Sequence, residues 1–183
     1  MKYTISILII ISQCFGGYKI GFDFSSRYES NDIDTGLDNG IVLSYDHMFN
    51  KNWGLGFNYL FPTKIDYQDI EIGIFDLYMM RYFFSDKIIS LNGKIGYSHP
   101  DYKWHNAFDI KGGIMYGFDI KINNEVQISY SINNSKVSQL EQEEIFQDPL
   151  GEITGNGDGN VGFNYIEIEH KIRCNRFTLY YLF

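Results

Sequence analysis

Trp53-Gly54-Leu55-Gly56-Phe57-Asn58-Tyr59-Leu60-Phe61 decides the fold. Large apolar side chains occupy 53, 55, 57, 59 and 61, while Gly and Asn stand at 54, 56 and 58. A period of two is the pattern of a half-buried strand, because successive side chains point to opposite faces. Just before it, Asn50-Lys51-Asn52 is a tight polar turn, and Ile41, Leu43, Tyr45 and Phe49 alternate with Val42, Ser44, Asp46 and Met48. Two such runs across a short turn read as an antiparallel hairpin.

The same period continues outward in both directions. Tyr18, Ile20, Phe22, Phe24 and Tyr28 share one face, with Lys19, Gly21, Asp23, Ser25 and Arg27 on the other. Downstream, Ile89, Leu91, Ile95 and Tyr97 oppose Ser90, Asn92, Lys94 and Gly96. Phe108, Ile110, Ile114, Tyr116 and Phe118 oppose Asp109, Lys111, Gly113, Gly117 and Asp119. Val126, Ile128, Tyr130 and Ile132 oppose Gln127, Ser129 and Ser131, and the chain closes on Phe177, Leu179, Tyr181 and Phe183. Ile70 to Phe84 is apolar on both faces, so its phase stays open.

The connections alternate in length. Asn50–Asn52, Ser85-Asp86-Lys87 and Asn123-Asn124 are tight turns, whereas 29–37, 63–69, 99–106 and 134–160 are longer gaps. Short turns at one rim and long loops at the other predict an all-β, eight-stranded antiparallel up-and-down transmembrane β-barrel with short periplasmic turns and long extracellular loops. Val161–Phe183 is longer than one spanning strand needs. It reads either as one strand extended beyond the membrane or as two joined at Arg173–Arg176, and an even strand number favours the first.

A soluble eight-stranded barrel would show the same alternation turned inside out. Gly, Ser, Asn and mixed charges on the polar face suit a narrow lumen instead. Aromatics near strand ends (Tyr18, Tyr28, Trp53, Phe61, Phe84, Tyr97, Phe118) suit interfacial girdles. The 183 residues carry 15 Lys+Arg against 23 Asp+Glu, a net charge of −8 that argues against a nucleic-acid partner.

Met1-Lys2 followed by the apolar run Thr4–Ile11 and the small residues Ser12, Cys14, Gly16 and Gly17 has the order of a secretory signal peptide. The run is shorter than the roughly 20 residues a spanning helix needs. Residues 1–17 are therefore expected to leave, with cleavage between 14 and 17, and 18–183 to form the barrel. Ile11-Ser12-Gln13 before Cys14 fits a lipoprotein signal poorly, and once Cys14 is gone Cys174 is a lone thiol.

Met80-Arg81-Tyr82-Phe83-Phe84, Gly93-Lys94-Ile95-Gly96-Tyr97 and the terminal Phe177-Thr178-Leu179-Tyr180-Tyr181-Leu182-Phe183 resemble the OmpA/OmpX-type outer-membrane β-barrel family of Gram-negative bacteria. The resemblance covers nearly all of 18–183. It implies the outer membrane as location, with its lipid and lipopolysaccharide as surroundings. It also implies that Phe177, Leu179, Tyr181 and Phe183 form the signal read by the barrel-assembly machinery. It does not imply one function, since the family includes membrane anchors, adhesins and proteins of unknown purpose.

An eight-stranded barrel is filled by its own inward side chains. Lys19, Asp23, Arg27, Asp46, Lys94, Asp109, Lys111 and Asp119 fall on predicted inward faces and are expected to form a lumenal polar network, paired because unpaired buried charges are costly. The other reading of those charges is a small porin or transporter. Enzymes of this scaffold use His with Ser and an acid. Here His47, His99, His105 and His170 lack the His-x-Ser pattern, although His105 has Asp101 and Asp109 nearby and His170 has Glu167 and Glu169. No catalytic residue and no cofactor is expected.

The stretch 134–160 is acidic and closes on Gly155–Asn160, where Asn156, Asp158 and Asn160 have the alternate spacing of calcium ligands. Val161 stands where an EF-hand requires Gly, and the flanks are strands rather than helices, so no metal is expected. Tyr102 and Trp104 on a neighbouring loop are candidate surface contacts, since exposed aromatics anchor interfaces. The sequence thus points to a structural or surface-interaction barrel with an unidentified extracellular ligand, and a small porin is the alternative.

Overall fold

The computed structural model describes residues 17–30, 33–65, 70–85, 88–103, 107–123, 125–145 and 162–182. Its elements are all strands: β1 Tyr18–Ser30, β2 Ile33–Gly36, β3 Gly40–Met48, β4 Trp53–Lys64, β5 Glu71–Ser85, β6 Ile89–Lys103, β7 Ala107–Lys111, β8 Gly113–Ile122, β9 Val126–Ile145 and β10 Gly162–Leu182. Eight of them close a ring in the order β10, β1, β3, β4, β5, β6, β8, β9, with β9 pairing back onto β10. Every ladder is antiparallel. The barrel has no free sheet edge around its waist. β2 folds back along β1, and β7 continues the line of β8 along β9.

The alternation on β4 holds as the sequence predicts. Leu55 and Phe61 are exposed on the outer wall, while Gly54, Gly56, Asn58 and Leu60 face the interior. The outer wall carries Ile20, Phe22, Leu77, Met79, Ile95, Ile114 and Leu179 in the same way. Towards the long-loop end that apolar band gives way to exposed ion pairs, Lys103–Glu71 and Lys136–Glu169 among them.

Phase errors in the sequence reading come from bulges, where one extra residue turns all that follow to the other face. On β1 the register slips between Phe24 and Arg27, so Tyr28 enters the barrel and Arg27 leaves it. On β7 the slip lies between Phe108 and Ile110, with Asp109 at φ 45 as the extra residue in the left-handed region. A slip between Leu60 and Thr63 brackets Pro62, which cannot donate to a ladder. The phase of β5, left open by the sequence, places Ile74, Asp76, Tyr78 and Met80 inside.

The gaps at the long-loop end are shorter than expected. β6 runs on to Lys103, and residues 134–145 are strand, paired with β10 from Gly162↔Ile145 to Arg173↔Asn134. Gly162–Leu182 is one uninterrupted strand, with no turn at Arg173–Arg176. The predicted signal peptide, Trp104, His105, Phe183 and the candidates Asn156, Asp158 and Asn160 lie outside the described residues, except that Gly17 is described.

Candidate functional site

The interior has two zones, and their chemistry follows the inward residue of each strand. The zone nearer the short turns is polar. Lys19 Nζ lies 2.5 Å from Asp46 Oδ2, and Lys94 Nζ lies 2.7 Å from Asp119 Oδ1 and donates to Ser129 Oγ at 2.6 Å. Arg176 stands at the top of this zone between two carboxylates, 3.1 Å from Asp76 and 3.5 Å from Asp23. Asp23 also accepts from Ser26 Oγ and Thr178 Oγ1, and Asp76 accepts from Asn133 Nδ2 at 2.6 Å. The buried carboxylates of Asp23 and Asp76 are satisfied this way by hydrogen bonds from side chains.

Two aromatic rings fill the remaining width. Tyr78 donates to Asp46 at 2.8 Å or to Asn58 at 3.0 Å, and Lys94 lies over its ring at 5.3 Å. Lys19 lies 5.0 Å over the ring of Tyr180. Each ring faces a glycine in register, Gly56 for Tyr78 and Gly21 for Tyr180. Gly56 and Gly21 are therefore seats for rings rather than open lumen.

Above Arg176 the interior is largely apolar, with the Ser30 and Ser135 hydroxyls buried in it beside Tyr28 and Tyr102. Val42, Leu60, Ile74, Val137 and Ile172 are buried against one another, with Tyr28, Tyr102 and Cys174 in the same cluster. This plug closes the barrel from side to side at the long-loop end.

Of the eight charges read as lumenal, the structure brings Lys19, Asp23, Asp46, Lys94 and Asp119 inside. Arg27 is not among them: it is exposed and pairs with Asp34 at 2.6 Å, because of the bulge after Phe24. Asp109 and Lys111 also lie on the outside, paired with each other at 2.6 Å, because of the slip at Asp109. Tyr102, read as a surface contact, is 6% exposed and sits in the plug, since β6 continues past it and pairs Ile72↔Tyr102. Asp76 and Arg176 escaped the sequence reading. Asp76 lay in the stretch of open phase, and Arg176 in a suspected turn; a charge among Ile74, Phe75, Leu77 and Tyr78 was the signal for Asp76.

Phe177, Leu179 and Tyr181 are exposed on the outer wall of β10. His47 and His99 are also on the outer side, against Phe49 and Tyr97. Among the described residues no group of His, Cys, Asp or Glu could hold a metal ion. At the long-loop end, Lys136 Nζ at 2.7 Å donates to Glu169 and holds its carboxyl below the ordinary value. Beyond Ser30↔Ile172, β1 no longer accompanies β10, so among the described residues Gly162–Lys171 pairs with β9 alone.

No family model matches the chain, and no curated protein is similar to it in sequence. Solved structures are. The outer membrane protein OprG from Pseudomonas aeruginosa is 14% identical, covers 92% of this chain and 96% of its own, and superposes with a TM-score of 0.52. Ail, the attachment invasion locus protein of Yersinia pestis, is 15% identical over 92% of this chain and 97% of its own, with a TM-score of 0.49. The N-terminal β-barrel domain of Pseudomonas aeruginosa OprF is 9% identical over 92% and 99%, with a TM-score of 0.44. At such identities the likeness is one of fold, and OprG carries it: this chain has the fold of a small outer-membrane β-barrel.

Proposed function

We propose that the chain is a small outer-membrane protein of a Gram-negative bacterium that acts by surface contact at its long-loop, extracellular end and is neither an enzyme nor a pore. The observation that carries this reading is the filled interior. Arg176 clamped between Asp23 and Asp76, two rings seated on glycines, and a largely apolar plug above them occupy the described interior, where a pore would need a continuous polar path. The small-porin alternative needs such a path.

The exposed apolar wall needs lipid around it, since a water-facing band of this extent would drive aggregation. Lipid and, in the outer leaflet, lipopolysaccharide are its proposed surroundings. Residues 1–17 are the proposed export signal, and the outward alternates Phe177, Leu179 and Tyr181, with Phe183, the proposed signal for the barrel-assembly machinery.

The contact itself is assigned to the projecting β9–β10 ribbon and the acidic stretch joining its strands. Glu167 and Glu169 are exposed along the part of β10 that lacks a second neighbour, and extended segments add to such edges. The unidentified ligand is therefore expected to be basic.

Planar-bilayer recording tests the reading directly. The purified barrel should give no steady single-channel conductance, and it should stay with membranes through a carbonate or urea wash and shift its gel mobility on boiling. Regular conductance steps would favour the porin, and release into the periplasmic fraction would favour a soluble barrel.

A further inference from the structure

On the outer wall, Trp53, Arg81, Gly93 and Phe118 stand side by side across four strands in one row of the ladders. The row beside it is filled by Leu55, Met79, Ile95 and Tyr116. Gly93 is thus a missing side chain in an otherwise continuous wall, and beside it a groove of about 600 Å³ opens. Phe83, the extra residue of a bulge between Tyr82 and Phe84, lays its ring over Gly93, where an added Cβ would come within 2.7 Å of it. The groove's lining is apolar except for Arg81 and Lys94, and the Lys94 ammonium is turned inward onto Asp119.

Arg81 stands at the short-turn mouth of this groove. The next residue, Tyr82, donates its N–H to Asn52 in the turn between β3 and β4. The Arg81 guanidinium lies 5.2 Å from the Trp53 ring and 5.8 Å from the Phe83 ring. Among the described residues no carboxylate pairs with it. The rings hold the group in place through their faces but do not neutralise it. A cation left unpaired at the margin of hydrocarbon calls for an anion from its surroundings, and a planar guanidinium suits the two oxygens of a phosphate.

We infer that this groove is a binding site for one anionic phospholipid of the periplasmic leaflet, with its phosphate on Arg81 and an acyl chain running past Gly93 towards the midplane. The inference rests on the membrane reading above. The short-turn position commits it to phospholipid rather than to lipopolysaccharide, which faces the opposite rim.

The chain supplies its own reporter, because it has 2 Trp and one of them is Trp53 in the site. Trp104→Phe leaves Trp53 as the sole indole. That protein is reconstituted in phosphatidylcholine bilayers doped with either phosphatidylglycerol or phosphatidylcholine brominated on the acyl chains. At equal low doping, the brominated phosphatidylglycerol should be about fivefold enriched beside Trp53, in line with the attraction of one basic residue for anionic lipid. Adding Arg81→Gln should reduce quenching to the phosphatidylcholine level. Adding Gly93→Leu, which fills the groove and leaves Arg81, should do the same. Heat-modifiable mobility checks folding, and if Gly93→Leu fails to fold the Arg81→Gln pair decides. Equal quenching by the two lipids overturns the site. Preference retained after Arg81→Gln also overturns it, and preference retained in folded Gly93→Leu reduces it to a bare surface charge. No quenching by either lipid sinks the membrane reading, and the site with it.

Discussion

A Cβ on Gly56 would come within 2.6 Å of the Tyr78 ring that faces it across the β4–β5 ladder. Gly56→Ala should therefore destabilise the barrel by about 1–3 kcal/mol through overpacking. Combining it with Tyr78→Ala should give less than the sum of the two single effects, because the ring that clashes is gone. Urea-unfolding midpoints of the three variants in lipid vesicles measure this, and strict additivity would show that the ring and the glycine do not share a space.

Arg27 and Arg176 make an internal control. Arg176→Met strands Asp23 and Asp76 in the interior and should cost about 3–5 kcal/mol. Arg27→Met removes an exposed pair with Asp34 and should cost no more than about 1 kcal/mol. The same unfolding assay ranks them, and equal costs would contradict the bulge that separates their environments.

The orientation of the wall is tested by charge insertion. Ile114, 63% exposed, and Leu77 face outward in the apolar band. Arg at either should cost roughly 2–4 kcal/mol at the membrane midplane. The readout is the folded fraction in vesicles. If both variants fold as wild type, that face does not meet hydrocarbon.

Lys136 holds the Glu169 carboxyl below its ordinary 4.5. A lowered folded value means that what this group contributes to stability is present above its unfolded value and lost as pH falls through the folded one. Lys136→Met should move the Glu169 titration upward in carbon-detected NMR. An unmoved titration would mean that the pair does not persist in solution.

Trimming the long connection should separate contact from scaffold. Replacing residues 146–161 with a short turn should leave a folded, heat-modifiable barrel, since closure entropy changes slowly with loop length. It should weaken any salt-sensitive binding to basic partners. Cutting back to Lys136 instead removes Val137 from the plug and the β7–β9 pairing, and should impair folding. If both deletions fold equally well, the ribbon is dispensable to the barrel.

The period-two pattern made the ring of eight strands legible in the sequence, because the exposed outer wall carries an apolar side chain at every second position over the band. Beyond the band that demand lapses. Residues 134–145 carry polar alternates and read as loop, although they form strand. Bulges are silent in a similar way: Arg27, Asp109 and Lys111 sit in phase by count and out of phase by register. The partly legible network had a different cause. Lys94 and Asp119 lie on clean alternations, whereas Asp76 lies where both faces of β5 are apolar. Of the inward apolar residues there, Ile72 and Ile74 belong to the plug and Tyr78 and Met80 to a smaller cluster with Met115, neither of which a rule for a polar lumen anticipates.

Two residues of β5 mark where the rules of solubility reverse. Asp76 faces a charged interior inside an apolar wall, and Ile72, two steps along the same face, belongs to an apolar interior below the exposed Lys103–Glu71 pair. The chain is thus inside-out over one half of its height and right-side-out over the other. On the proposed membrane reading, the lower half owes its cohesion to ladders and ion pairs shielded by lipid, the upper half to the hydrophobic effect in ordinary water. Exchanging lipid for detergent therefore strips the support of one half only, and the upper half retains a core of the kind that holds a secreted domain together.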